Sequence, residues 1–232
     1  MSDSSRWAAV VAALPTAARA ERERPFWKAL AVSWGWRKVA DAGCGAGFYV
    51  HLLREIGVEA VGFDAALGAV RARGEARLVV ADVANPPLRG GAFDAALCVG
   101  NTLSLLPSRA AQRGALGALA RVVRPGGVVL LQGEDAGELV TGGAVIRTRK
   151  LNDGALHVRV FERSGRRVRM LAGVVRDGAN SALETTILLP TSSAVLARMA
   201  RDLGFESVAL PLAPPGGDAA WWFALSVPSP GS

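Results

Sequence analysis

Val39-Ala40-Asp41-Ala42-Gly43-Cys44-Gly45-Ala46-Gly47 decides how this chain is read. An apolar run ends in an acid, three glycines follow at every second position, and helix-compatible residues continue from Phe48 to Glu55. Chemically this is a strand that turns tightly into a helix. Gly43, Gly45 and Gly47 strip the Cβ atoms from the turn, so its backbone can lie against a ligand and take dihedral angles that other residues resist. Such turns bind nucleotide-like ligands at the carboxyl ends of parallel strands. The third glycine comes one residue too early for the GxGxxG fingerprint, and no Gly-Lys-Ser/Thr phosphate loop occurs. Taken alone, the stretch is also what any tight strand-to-helix turn looks like.

The following residues repeat the signal. Val61-Gly62-Phe63-Asp64 is a second apolar run ending in an acid, 23 positions after Asp41. A ribose-binding acid falls about 20 residues beyond a nucleotide-binding glycine turn, at the end of the second strand. Leu78 to Ala81 is a third run, closed by Asp82 and Val83. Phe93 to Val99 is a fourth and opens into Gly100-Asn101-Thr102; Arg124-Pro125-Gly126-Gly127 precedes a fifth, Val128 to Leu131. Strand-like runs alternating with helical segments predict βαβ units and a parallel sheet.

Over residues 36 to 132 the chain resembles the class I S-adenosylmethionine-dependent methyltransferases. The glycine turn is similar to the family's first motif, which lies against the methionine part of the cofactor. The resemblance implies that Asp64, with Ala65 beside it, takes the ribose hydroxyls and that Asp82 and Val83 face the adenine. It places Phe93 to Leu106 at the methyl-transfer site and Arg124 to Gly127 at the turn before the fifth strand. The implied cofactor-binding set is Asp41, Gly43, Cys44, Gly45, Gly47, Asp64, Ala65, Asp82, Val83, Val99, Gly100 and Asn101. The cofactor is S-adenosyl-L-methionine and the product S-adenosyl-L-homocysteine. Gly100 to Leu106 further resembles a segment of the glycine/sarcosine N-methyltransferase-like small-molecule enzymes, with Leu105 standing where those relatives have histidine.

The rest of the chain is read from composition and turns. At 232 residues it forms one domain by default. Half the residues are apolar, which excludes disorder, and no apolar run approaches the 18 residues of a membrane span. Trp7 to Leu14 is apolar and Ala18-Arg19-Ala20 imitates a signal-peptidase site, but Asp3 and the single cation Arg6 make a poor leader. An amphipathic N-terminal helix and a cytoplasmic location are expected instead. Cys44 and Cys98 read as small buried residues at the ends of neighbouring strands. No CxxC and no HxxxH occurs, so no metal is implied.

Between Arg147 and Asp177 nine cations face three acids, a surplus of six in a chain of net charge +7. Asn152-Asp153-Gly154, Ser164-Gly165 and Asp177 to Asn180 are turn signals that cut this stretch into strands at about 145–151, 156–163, 167–175 and 182–189. In the second of these, His157, Arg159, Phe161 and Arg163 share one face. If that face, with Arg147 and Arg149, meets the acceptor, the acceptor is anionic; if it meets bulk solvent, it is an ordinary hydrophilic face. Thr191 is the expected N-cap of a helix to Leu203. Strands at 206–210 and 221–227 close the fold.

The predicted architecture is α/β: a Rossmann-like, seven-stranded, mostly parallel sheet with helices on both faces and an antiparallel β-meander inserted after the fifth strand. Residues 1–35 form a helical cover, 36–133 the cofactor-binding core, 134–190 the meander and acceptor lid, and 191–227 the closing helix and strands. The expected activity is methyl transfer to a small molecule, with Asn101 and His157 as candidate catalytic groups. His51 reads as a surface residue, and Tyr49 as a neighbour of the cofactor or a packing residue. Two other readings stay open. One is an RNA or protein methyltransferase, against which stand the lack of an added binding domain and the scarcity of aromatics in the basic stretch. The other is a cofactor-binding regulator without turnover.

Overall fold

The structure, a computed structural model, describes residues 10, 16–71, 77–151, 153–176, 182–215 and 220–228. The Asp177 to Asn180 turn and the Trp7 to Leu14 helix, apart from Val10, lie outside the described residues. The elements in chain order are α1 (Ala17–Ser33), β1 (Lys38–Ala42), α2 (Phe48–Glu55), β2 (Glu59–Asp64), α3 (Leu67–Arg71), β3 (Leu78–Val80), β4 (Phe93–Cys98), α4 (Thr102–Leu105) and α5 (Arg109–Val122). They continue with β5 (Val123–Glu134), α6 (Ala136–Leu139), β6 (Val145–Lys150), β7 (Leu156–Ser164), β8 (Arg167–Val175), β9 (Ala182–Leu188), α7 (Ser193–Asp202), β10 (Glu206–Val208) and β11 (Ala220–Ser226).

Seven strands form one sheet in the order β10-β11-β5-β4-β1-β2-β3. β1 pairs in parallel with both β2 and β4, and β11 runs antiparallel to β5. The strand order therefore reverses at β1 and β4, and ligands of open α/β sheets bind beyond the carboxyl ends of the strands at such a reversal. The central strands are buried on both faces, which is why they read as near-continuous apolar runs. Successive residues alternate between two cores. Val39, Ala95, Leu97 and Leu130 pack with Trp27 and Leu30 of α1 and Leu52 and Leu53 of α2. Ala40, Ala96, Cys98 and Leu131 pack with Leu116 and Leu119 of α5 and Leu196 of α7.

The other four strands form a separate antiparallel meander, β6-β7-β8-β9. Its register aligns Arg147 with Arg159 and Ala172, and Arg149 with His157 and Val174. The face carrying these residues also holds the fully buried Phe161, with Met170 and Ala172, which pack against Ala136 and Val140. That face turns inward. The opposite face mixes charged residues with exposed apolar ones: Leu156, Leu183 and Ile187 are 41 to 42% exposed. No described helix is long and apolar enough to cross a membrane.

The last helix starts one residue later than expected. Ser192, not Thr191, is its N-cap, and the Ser192 Oγ accepts the Val195 N–H at 3.3 Å. Thr191 is fully buried because its hydroxyl is committed elsewhere. It donates to the Leu189 carbonyl and accepts from Gln112 and Arg109. Gln112 in turn donates to the Leu103 carbonyl, and the Leu189 N–H donates to the Ser104 carbonyl. The return from the meander is thereby fastened to α4, directly after the fourth strand.

Candidate functional site

The turn after β1 is built as its glycines suggest. Gly43 has φ +74°, and a Cβ there would lie 2.4 Å from Thr102 Cγ2, so the turn and the end of β4 touch through the missing side chain. The Gly43 and Cys44 N–H groups donate to the Phe63 carbonyl, and the Gly45 N–H donates to Asp64 Oδ2 at 2.8 Å. Asp64 Oδ1 accepts the Ala66 N–H, also at 2.8 Å. Its carboxylate is thus fixed by two backbone donors while each oxygen keeps accepting capacity. Asp82 Oδ1 accepts the Ala84 N–H in the same manner.

Asp41 stands behind the turn, 1% exposed, with no hydrogen-bond partner for either carboxylate oxygen among the described residues. Burial, reinforced by the nearby Asp64 carboxylate, raises it to about 7. Buried acids with raised pKa values cluster at functional clefts. Burial also pushes the Cys44 and Cys98 thiols up, so both are inert at neutral pH.

A cavity of about 1190 Å³ opens from this turn. Gly43, Cys44, Gly45, Asp64, Ala65, Asp82, Val83, Val99, Gly100 and Asn101 line one end. Asp41 and Gly47 lie behind that lining, Gly47 pressed on Leu78. The other end is lined by Arg19, Arg22 and Glu23 of α1, Arg147 and Arg149 of β6, His157 and Arg159 of β7, and Glu134 at the end of β5. Single-ligand pockets run to about 1,000 Å³, so this one has room for two molecules side by side.

Asn101 is the one non-glycine residue with positive φ (69°) among the described residues. Its Oδ1 accepts the Glu134 N–H at 2.6 Å, while Gln132 Oε1 accepts the Gly100 N–H at 2.7 Å. The carboxamide oxygen of Asn101 therefore holds the fourth-strand loop to β5. Glu134 is 8% exposed and accepts from two arginines: Arg147 Nη1 at 2.6 Å and Arg159 Nη1 at 3.0 Å. His157 sits among the same cations; burial, then Arg159 and Arg149, lower its imidazole to about 4. His51 lies exposed on α2, 3.4 Å from Glu55.

Several residues of the site have no counterpart in the sequence reading. Glu134 carried a usable signal, being an acid that ends an apolar run as Asp41, Asp64 and Asp82 do. Arg19 donates to Glu23 Oε1 at 2.8 Å and to the Tyr49 hydroxyl at 2.6 Å, and stacks 4.0 Å from the Phe48 ring. Trp222 lines the cavity with its indole N–H buried and without a partner among the described residues. Nothing local in the sequence marks these last contacts, which come from helix α1 folding over α2.

A parallel sheet reversed at β1 and β4, with a glycine turn and acids at the strand ends, has the form of a nucleotide-type ligand site. Known proteins share this arrangement. A family model described as "Methyltransferase domain" matches residues 40–131. A glycine/sarcosine N-methyltransferase of Parasynechococcus marenigrum (strain WH8102) is 30% identical over 144 residues, 58% of this chain and 51% of that protein. The chain thus spans about half the length of the curated relative it matches. Among solved structures, an S-adenosylmethionine-dependent methyltransferase from Clostridium acetobutylicum ATCC 824 superposes with a TM-score of 0.73 at 13% identity, covering 95% of each chain. S-adenosylmethionine-bound CalS10, an amino pentose methyltransferase from Micromonospora echinaspora, gives 0.64 at 23% identity, covering 97% of this chain and 91% of that one. These two share the fold. Residues 40–131 thus match a methyltransferase domain, and the fold is that of S-adenosylmethionine-dependent methyltransferases of known structure.

Proposed function

We propose that this protein transfers the methyl group of S-adenosylmethionine to a small-molecule nucleophile held between α1 and the inner face of the meander. The observation that carries the reading is the two-ended cavity, with a glycine turn and carboxylates at one end and a charged, walled space at the other. The residues present fit the cofactor. Asp64 is oriented by two backbone N–H groups to accept from paired ribose hydroxyls, and Asp82 with Val83 flanks the next position along the strand ends. Gly100 has open space where a Cβ would stand, so its backbone can approach a ligand. Bound S-adenosylmethionine supplies an electrophilic methyl on a sulfonium centre.

What the chain itself contributes is then orientation and exclusion of water. Asn101 holds the loop after β4 at the junction of the two ends. His157 is a neutral imidazole near pH 7 and a weak proton acceptor there. An amine acceptor would therefore lose its proton before transfer, aided by the same arginine field that lowers His157. The amino-acid and amino-sugar substrates in the printed names of the relatives support a small acceptor, and the surplus of arginines at its end supports an anionic one.

The test is turnover. Purified protein with S-adenosylmethionine and a panel of small amines, half of them bearing a carboxylate or phosphate, should release S-adenosylhomocysteine with the anionic members. Methylation confined to RNA or protein substrates would overturn the reading.

A further inference from the structure

Five arginines and two glutamates line the acceptor end of the cavity, an excess of three positive charges. The two glutamates are already committed. Glu134 gives one oxygen each to Arg147 and Arg159. Glu23 accepts from Arg19 and Trp27 and stands 3.9 Å from Arg22. Arg149 has no acid partner among the described residues, although it arrives from β6 at a place shared with Arg22 and Arg19 of α1 and Arg159 of β7. Burial and those three guanidinium groups, opposed only by Glu23, push the Arg149 guanidinium below its ordinary value. Two separate elements thus bring like charges together around one space. Such an arrangement is unfavourable until a counter-charge enters.

We infer that Arg149 of β6 and Arg22 of α1, two walls of the same cavity, form the subsite for a carboxylate or phosphate group of the acceptor. The inference rests on the methyl-transfer reading above and narrows it. Arg147 and Arg159, which the strand pattern groups with Arg149, act differently, since Glu134 holds them as a closed triad that braces the meander against the end of β5. Arg19 is likewise tied to Glu23 and Tyr49. That leaves Arg149, without an acid partner among the described residues, and Arg22, whose acid neighbour Glu23 at 3.9 Å is shared with Arg19, as the cations able to close on an anion. Arginine suits both candidate groups, because its planar fork meets either oxyanion through two parallel hydrogen bonds. An acceptor anchored there would join α1 to the meander by its own charge.

The chain has two histidines, so His157 reports on this charge with His51 as an internal control. The groups that set the field at His157 are Arg149 and Arg159, with Arg22, Arg19 and Glu23 on α1 and Arg147 with Glu134 alongside. Calorimetry with S-adenosylhomocysteine comes first, and absence of binding there would sink the methyl-transfer reading itself. With the S-adenosylhomocysteine complex, histidine resonances are followed against pH in chloride, inorganic phosphate and acetate at equal ionic strength. The expected result is an upward shift of the His157 midpoint in phosphate, in acetate or in both, with His51 unmoved. A response to phosphate alone assigns a phosphoryl acceptor, and a response to acetate assigns a carboxylate. Arg149→Gln and Arg22→Gln should each abolish the shift while S-adenosylhomocysteine still binds. A bound complex whose His157 ignores both anions overturns the inference and leaves the methyl-transfer reading standing. So does an equal shift in the wild type and in both variants.

Discussion

The two sheets of this protein differ in what their enclosed faces carry. In the seven-stranded sheet, alternate residues of each central strand enter one of two apolar cores, and polar groups gather at the strand ends. In the meander, the enclosed face joins a buried apolar cluster (Phe161, Val168, Met170, Ala172 and Leu188) to Arg147, Arg149, His157 and Arg159 at the cavity, while Leu156, Leu183 and Ile187 on the other face are exposed. The first arrangement is what burial dictates. The second mixes ordinary burial with cations that face the cavity. An alternating strand pattern thus defines two faces but not which of them the molecule encloses.

Breaking the junction of the two regions should have the largest effect. Gly43→Val combines a branched side chain at positive φ, costing about 1–2 kcal/mol, with overpacking against Thr102, costing about 1–3 kcal/mol more. Urea unfolding should show the sum, and S-adenosylhomocysteine binding should be lost. Glu134→Ala comes next: it leaves Arg147 and Arg159 without their shared acid. The loss should be about 1.5–3 kcal/mol, reduced from the fully buried case because both guanidinium groups are partly solvated. A wild-type midpoint in denaturant would show that the triad is not a brace.

Asp41→Asn should act in the opposite direction, and only above mid-range pH. The folded protein holds Asp41 at about 7, above the ordinary carboxyl value of 3.8. Its contribution is fully present below pH 4 and is lost as pH rises through about 7. The cofactor-free variant should therefore gain on the order of 1–3 kcal/mol at about pH 8 and nothing at about pH 4. A gain that does not vary with pH would contradict the buried-acid account. The smallest effect is expected on the outer face of the meander: Ile187→Ser, at a site 42% exposed, should change stability by about 0.5 kcal/mol or less. A loss several times larger would mean that the outward face is covered in solution.

Much of the core was legible because its signals are local. A glycine turn, and acids at the ends of short apolar runs, need only their own neighbours to be read, and they placed Asp64, Asp82 and the turn itself. The meander strands were legible from Asn152-Asp153-Gly154 and Ser164-Gly165 and from their alternation. What stayed hidden depends on contacts distant in sequence. Nothing near Arg19 or Arg22 shows that α1 folds over α2 and the cavity. Nothing near Arg159 shows that Glu134, 25 residues earlier, neutralises it. Thr191 was misread as a cap because Ser192 beside it is an equally good one, and only the buried Gln112 decides between them.

The central claim is that the glycine-turn end of the cavity binds S-adenosylmethionine through Asp64. Isothermal titration of S-adenosylhomocysteine into the wild type and Asp64→Ala tests it most directly. The wild type should bind, and the variant should lose about 1.5–3 kcal/mol, roughly a 10- to 150-fold weakening, because the ribose hydroxyls lose a charged acceptor. Equal affinity in the two proteins, or no binding by a folded wild type, would contradict the account.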